Sequence, residues 1–209
     1  ARPAASRPPV THPNPAIVAQ GAVRRLPRLA LLLLCAVYVL AGLIGREPWR
    51  NADMATFVYM LEMARGHTGW LDPQLLGLRP EADGLLPYWI GALTLKWGPA
   101  WISPVLLARL PFALMLVLTL VATWRAVYGL ALLPGAQPVA FAFGGQAHPI
   151  DYARAIADGG LLALMACLGL AQLSHEVTTH LAQLCLATLT FYGAANIGRQ
   201  WLLPGFALL

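Results

Sequence analysis

Two aspartates stand where predicted helices begin, Asp53 and Asp158. A carboxylate so placed can act as a general base toward an acceptor hydroxyl. It can equally serve as an N-cap, taking backbone N–H bonds two or three residues further on. The roles are compatible, since a cap also holds the carboxylate in place. At Asp158 the capping reading adds a favourable interaction with the helix dipole, and Arg154, one helical turn earlier, is in reach for pairing. Arg199 follows another predicted helix. It could hold a phosphate by charge-assisted hydrogen bonds, or simply anchor a helix end at a lipid interface.

Other constellations drop out. His175 and His180 in HEVTTH are five residues apart, which turns their side chains roughly 140° from each other on a helix. A zinc-binding helix needs i, i+4, so no metal site is read there. P-loop, GxGxxG and GxSxG patterns are absent, and Lys96 is the only lysine, which leaves no polybasic patch. Cys35, Cys167 and Cys185 lie in apolar stretches without CxxC spacing, so they read as packing thiols.

Composition limits what could position these residues. Of 209 residues 58% are hydrophobic and 11% charged, against about 45–50% and 25% in a soluble domain. The same figures argue against disorder over most of the length. The net charge of +5 then points to cytoplasmic Lys/Arg in a membrane protein and away from nucleic acid.

Residues 1–23 are rich in Pro, Ala and Arg and read as a disordered cytoplasmic tail. Arg24, Arg25 and Arg28 precede an apolar run over 29–44, which predicts a retained first crossing with a cytoplasmic N-terminus. The polar segment that follows carries Met54, Phe57, Val58, Leu61 and Ala64 at helical spacing, the stripe of an amphipathic helix. The next run, 85–97, falls short of the roughly 20 residues a crossing needs. With Trp89, Trp97 and Trp101 it predicts a second interfacial helix. Further crossings are expected over 102–124, 127–145, 159–173 and 181–195, and another from Trp201.

The expected fold is therefore an all-α polytopic membrane protein with about five to six transmembrane helices and two periplasmic interfacial helices. It comprises the tail 1–23 and a transmembrane domain 24–209 in which 46–101 is a periplasmic loop. Parity puts 46–101 and 146–158 on one face, so Asp53 and Asp158 are expected together at the periplasmic surface of a bacterial inner membrane.

The order of these features resembles the aminoarabinose transferases and protein O-mannosyltransferases of the GT-C membrane glycosyltransferases. The resemblance rests on Asp53-Met54-Ala55-Thr56-Phe57 through Leu61 to Gly66, Trp70-Leu71-Asp72-Pro73, Leu75 to Arg79, and Pro87-Tyr88-Trp89-Ile90. Arg109-Leu110-Pro111 and Tyr152-Ala153-Arg154 to Asp158 follow in order. It implies a transferase that takes sugar from a polyprenyl-phosphate donor to an envelope acceptor. Asp53 and Asp158 would be the catalytic acids, and Arg199, Arg154, Arg79 and Tyr88 would bind substrate. No organic cofactor is implied, and a divalent metal is left open. Membrane lipids and the donor are the expected partners, with no nucleic acid.

Two positions depart from the family pattern. Asp53-Met54 replaces Asp-Glu, and Ala82-Asp83-Gly84 replaces Glu-Lys-Pro, leaving Glu81 or Arg79 to substitute for the lysine. The family's enzymes are also much longer, so the chain reads as an N-terminal portion. The rival expectation is a non-catalytic membrane subunit or scaffold packed against a partner protein; a small transporter fits less well, because its ionisable residues belong near the bilayer midplane.

Overall fold

The computed structural model describes residues 16–197 apart from 44, 46, 49–50, 81–83 and 174. Seven α-helices occur among them: α1 (Arg28–Leu43), α2 (Asn51–Arg65), α3 (Leu86–Trp97), α4 (Pro104–Ala131), α5 (Pro149–Ala166), α6 (Leu168–Leu173) and α7 (Thr179–Ala195). The class is all-α, but five to six crossings are not found. Among the described residues one helix, α4, is long and apolar enough to cross a membrane, and α1 is a shorter apolar helix.

α4 is the axis of the structure and packs against α1, α2, α3, α5 and α7. Pro104 occupies its first turn, where a missing N–H costs nothing, and the Ser103 hydroxyl accepts the Leu106 N–H at 3.3 Å. The hydroxyls of Thr119 and Thr123 donate to carbonyls one turn back, Met115 and Thr119, both at 2.8 Å. No polar group on that stretch then needs water.

The expected crossing over 127–145 does not form. α4 continues to Ala131, and Pro134, Gly135 and Pro138 stop it. The chain then runs irregularly, with Gly144 and Gly145 at positive φ. Its backbone groups find partners in residues read as tail: Val139 N–H donates to Ala16, Gln20 N–H to Gly145 and Ala147 N–H to Val18, each at 3.0 Å. Residues 16–23 are thus an ordered strap; residues 1–15 of the expected tail, and the helix expected from Trp201, lie outside the described residues.

Losing that crossing reverses the parity. α1 and α5 run one way, α4 and α7 the other. The end of α1 lies beside Arg109 and Phe112 near the start of α4. Leu26, just before its first residue, bonds to Asp158 of α5, and Asn196 after α7 lies under Gly129 near the end of α4. α2 and α3 pack on each other and on the first part of α4.

In α2 the inward face is Asp53, Thr56, Tyr59, Met60 and Met63. The expected stripe is turned outward by about one residue's rotation: Met54 is exposed and Phe57, Val58, Leu61 and Ala64 are half-buried. Tyr59 meets Tyr88 of α3 edge-on at 5.9 Å and donates to the Leu78 carbonyl at 3.0 Å. Around them Met60, Met63, Ala92, Ala108, Phe112, Leu116 and Leu181 form the core.

The connection from α2 to α3 contains a two-residue reversal, Leu76-Gly77, closed by paired bonds between Leu75 and Leu78 at 2.9 Å. Both central residues have positive φ, 53° and 80°, the signature of a type I′ turn, for which Asn-Gly is the favoured pair. Leu76 pays the left-handed penalty of an L side chain while 97% exposed, so no packing offsets it. Leu76→Asn is expected to raise stability by about 0.5–1 kcal/mol. A thermal midpoint lower than that of the parent would contradict this reading of the turn.

Candidate functional site

Asp53 lies in the first turn of α2 and is fully buried. Its carboxylate does not cap α2. One oxygen, Oδ2, accepts from Arg109 Nη2 of α4 at 3.3 Å, and the other accepts the Val177 N–H at 2.8 Å. Three separate pieces of chain therefore meet on one side chain: α2, α4 and the 175–178 loop before α7. The ion pair is almost entirely out of water, with side-chain exposures of 0% and 4%. Such a pair repays its desolvation only when geometry and further hydrogen bonds are good, and the Val177 amide supplies one of these.

Next to the pair is a small cleft whose walls are Gly42 and Leu43 of α1, Arg109, Phe112 and Leu116 of α4, and His175 and Glu176 of the loop. Glu176 is buried and takes a bond from the Gln172 amide at 3.5 Å. His175 is wedged between α1 and α6. Its Nε2 lies 2.7 Å from the Tyr38 carbonyl and its Nδ1 2.5 Å from the Ala171 carbonyl. Only a glycine at position 42 leaves room for that imidazole, because a Cβ there would overlap the ring.

The cleft thus gathers a guanidinium, one carboxylate and an imidazole at the end of a long apolar helix, with Asp53 bonded to the guanidinium beside it. Chemically the set can bind an anion through Arg109 and can take a proton at a carboxylate. Sequence reasoning missed Glu176 and the place of His175. The HEVTTH stretch shows only a histidine spacing unsuited to a zinc helix, and nothing local in it signals that this loop returns to Arg109. Among the described residues no group of three His, Cys, Asp or Glu is arranged to hold a metal ion.

Asp158 belongs elsewhere. It does not open a helix but sits in the middle of α5, which begins at Pro149. It is buried, accepting from Trp124 Nε1 at 2.9 Å and from the Leu26 N–H at 3.1 Å. Arg154 does not pair with it; its Nη2 donates to the Leu26 carbonyl at 3.1 Å. Acid and base together clamp both main-chain polar groups of one residue, Leu26, just before α1. Arg25 and Gln20 extend the strap, both bonding to Asp151, at 2.7 and 3.0 Å.

Arg109 and Trp124 are fifteen residues apart on α4, about 22 Å of axial rise. The structure therefore does not bring Asp53 and Asp158 together. Arg79 forms a two-pronged pair with Asp72 at 2.9 and 3.3 Å in the exposed α2–α3 connection. Tyr88 is buried against Tyr59. Arg199, like Glu81, lies outside the described residues.

Comparison with known proteins finds no match to any family model, any curated protein or any solved structure. The site must stand on its own geometry.

The Asp158 clamp makes a prediction. Asp158→Ala leaves the Trp124 indole N–H and the Leu26 amide without their acceptor, and each such buried donor costs about 1–3 kcal/mol. Chemical unfolding is expected to show a loss of at least about 2 kcal/mol. A loss below about 0.5 kcal/mol, the scale of an ordinary surface change, would contradict the clamp.

Proposed function

We propose that the protein is a membrane-bound glycosyltransferase that moves a sugar from a polyprenyl-phosphate donor to an acceptor in the bacterial envelope. The reaction would take place at the Asp53 end of α4, on the periplasmic face of the inner membrane. The observation that carries this reading is the buried Asp53–Arg109 pair beside a cleft that also holds Glu176 and His175. The resemblance of the Asp53 to Ile90 stretch to the transferases supplies the substrate class.

In this reaction the acceptor hydroxyl oxygen forms a bond to the anomeric carbon while the bond from that carbon to the phosphate oxygen breaks. The hydroxyl proton goes to a carboxylate, and the polyprenyl phosphate departs with the electron pair. A cation beside the leaving oxygens lowers the barrier as their charge grows. That Arg109 lines the cleft supports giving it that task. Asp53 has both oxygens engaged, so it accepts a proton only if the 175–178 loop releases it. Glu176 already lines the cleft.

The second reading is a non-catalytic membrane subunit, and the same full engagement of Asp53 favours it: a carboxylate with both oxygens bonded inside the protein serves equally well as a structural tie. The two readings separate in an assay of the whole protein, isolated from its native membrane into phospholipid vesicles with a polyprenyl-phosphate-linked sugar and lipid A. The transferase reading expects sugar transfer that falls at least about a hundredfold in Glu176→Gln, with the variant still folded. Neither transfer nor donor binding by the folded parent protein, together with a co-purifying partner, would establish the subunit instead.

A further inference from the structure

We propose that exposed arginines at the Asp158 end of the bundle bind the phosphates of anionic phospholipids, whose acyl chains lie along the outward faces of α1 and α4. The first ground is those faces. α1 leaves Leu29, Leu32, Leu33 and Val37 all more than half exposed. α4 leaves Leu114, Leu118 and Val121 exposed at the same height, since the two helices run antiparallel. Single exposed leucines are ordinary on a protein surface, but contiguous apolar faces mark a contact with something. From Leu110 to Trp124 α4 carries no charged side chain. Pro104 to Arg125 is about 32 Å of axial rise, close to the roughly 30 Å of a bilayer's hydrocarbon core. Trp97 and Trp101, 75% and 84% exposed, stand just before that span, and indole rings favour the headgroup level.

The second ground is charge, and it is confined to one end. The outward face of α1 starts at Arg28. That of α4 ends at Arg125, which lies within about 20° of Leu114 and Leu118 around the helix. Both arginines are exposed, and so is Arg24. Asp158 bonds at once to Leu26 and to Trp124, which brings these three arginines to one level although the chain separates them. A sequence without a basic run thus folds into a basic rim.

The carboxylates near that rim are already engaged, Asp151 by Arg25 and Gln20, and Asp158 by Leu26 and Trp124. Among the described residues none pairs with Arg24, Arg28 or Arg125. At the other end exposed charges pair off, Arg79 with Asp72 and Arg65 with Glu62. An anionic phospholipid answers both grounds. Its phosphate takes charge-assisted hydrogen bonds from a guanidinium, and its chains cover the leucines below. A soluble polyanion would meet the arginines and leave the leucines in water. Because anionic lipid gives the cytoplasmic leaflet its negative potential, the rim turns this end inward and the Asp53 cleft outward. The inference rests on the membrane location proposed above, and not on sugar transfer.

The test places the full-length protein in nanodiscs made of phosphatidylcholine and phosphatidylglycerol in equal parts. The lipids it retains on transfer to a neutral detergent are counted by native mass spectrometry. The parent is expected to retain phosphatidylglycerol at least about fivefold over phosphatidylcholine, the factor for one basic side chain at an anionic surface. The preference should vanish in the triple variant Arg24→Gln, Arg28→Gln, Arg125→Gln and persist in Arg65→Gln. Equal retention of both lipids by the inserted parent, or a preference that survives the triple variant, would overturn the rim. A parent that enters no nanodisc would overturn the membrane location with it. The parent's own lipid ratio decides the matter if the triple variant fails to fold.

Discussion

A carboxylate and a guanidinium removed from water lose hydration worth several kcal/mol per ion, and Asp53 and Arg109 have lost nearly all of theirs. That loss is tolerable only if each charge finds its partner and the remaining lone pairs find donors. The requirement fixes much of the surrounding structure. α2 must turn its Asp53 face inward, although a plainly apolar stripe lies one residue's rotation away. The 175–178 loop must come back across the cleft to offer the Val177 amide. The first turns of α4 must stay beside both, which the Ser103 cap and Pro104 help to secure by starting the helix there.

The opposite end of α4 solves a different problem with similar chemistry. There Asp158 and Arg154 take the N–H and the carbonyl of Leu26, and the strap 16–23 satisfies the backbone of the irregular stretch after Ala131. One acid therefore holds α2, α4 and a loop together, while the other holds the entry to α1 against α4 and α5. The two share a long helix and a residue type, and among the described residues nothing joins them into a single site.

How much of this could be read in the sequence depended on whether the signal was local. The apolar run after Arg28, the short run ending at Trp97 and the run beginning near Leu181 coincide with α1, α3 and α7, because each is bounded by charge, proline or glycine. The crossing expected over 127–145 is absent because Pro134, Gly135 and Pro138 outweigh the apolar residues around them and α4 ends at Ala131. That one error also carried Asp158 to the wrong end, since parity counts every crossing. Asp53 was marked as a residue of interest by its position, but its partners were invisible: Arg109 and Val177 are far away in the chain, and hydropathy says nothing about which buried charges meet. Glu176 and His175 were hidden for the same reason.

The most direct measurement is a double-mutant cycle between Asp53 and Arg109, using Asp53→Asn, Arg109→Met and the pair together, with unfolding free energy as the readout. Removing one partner of a buried pair is expected to cost about 3–5 kcal/mol, and removing both to cost clearly less than the sum. That corresponds to a coupling of about 2 kcal/mol or more, in the upper part of the range found for residues in contact. Single losses that simply add in the double variant would mean that the two charges do not sense each other, and the account built on their pairing would be wrong.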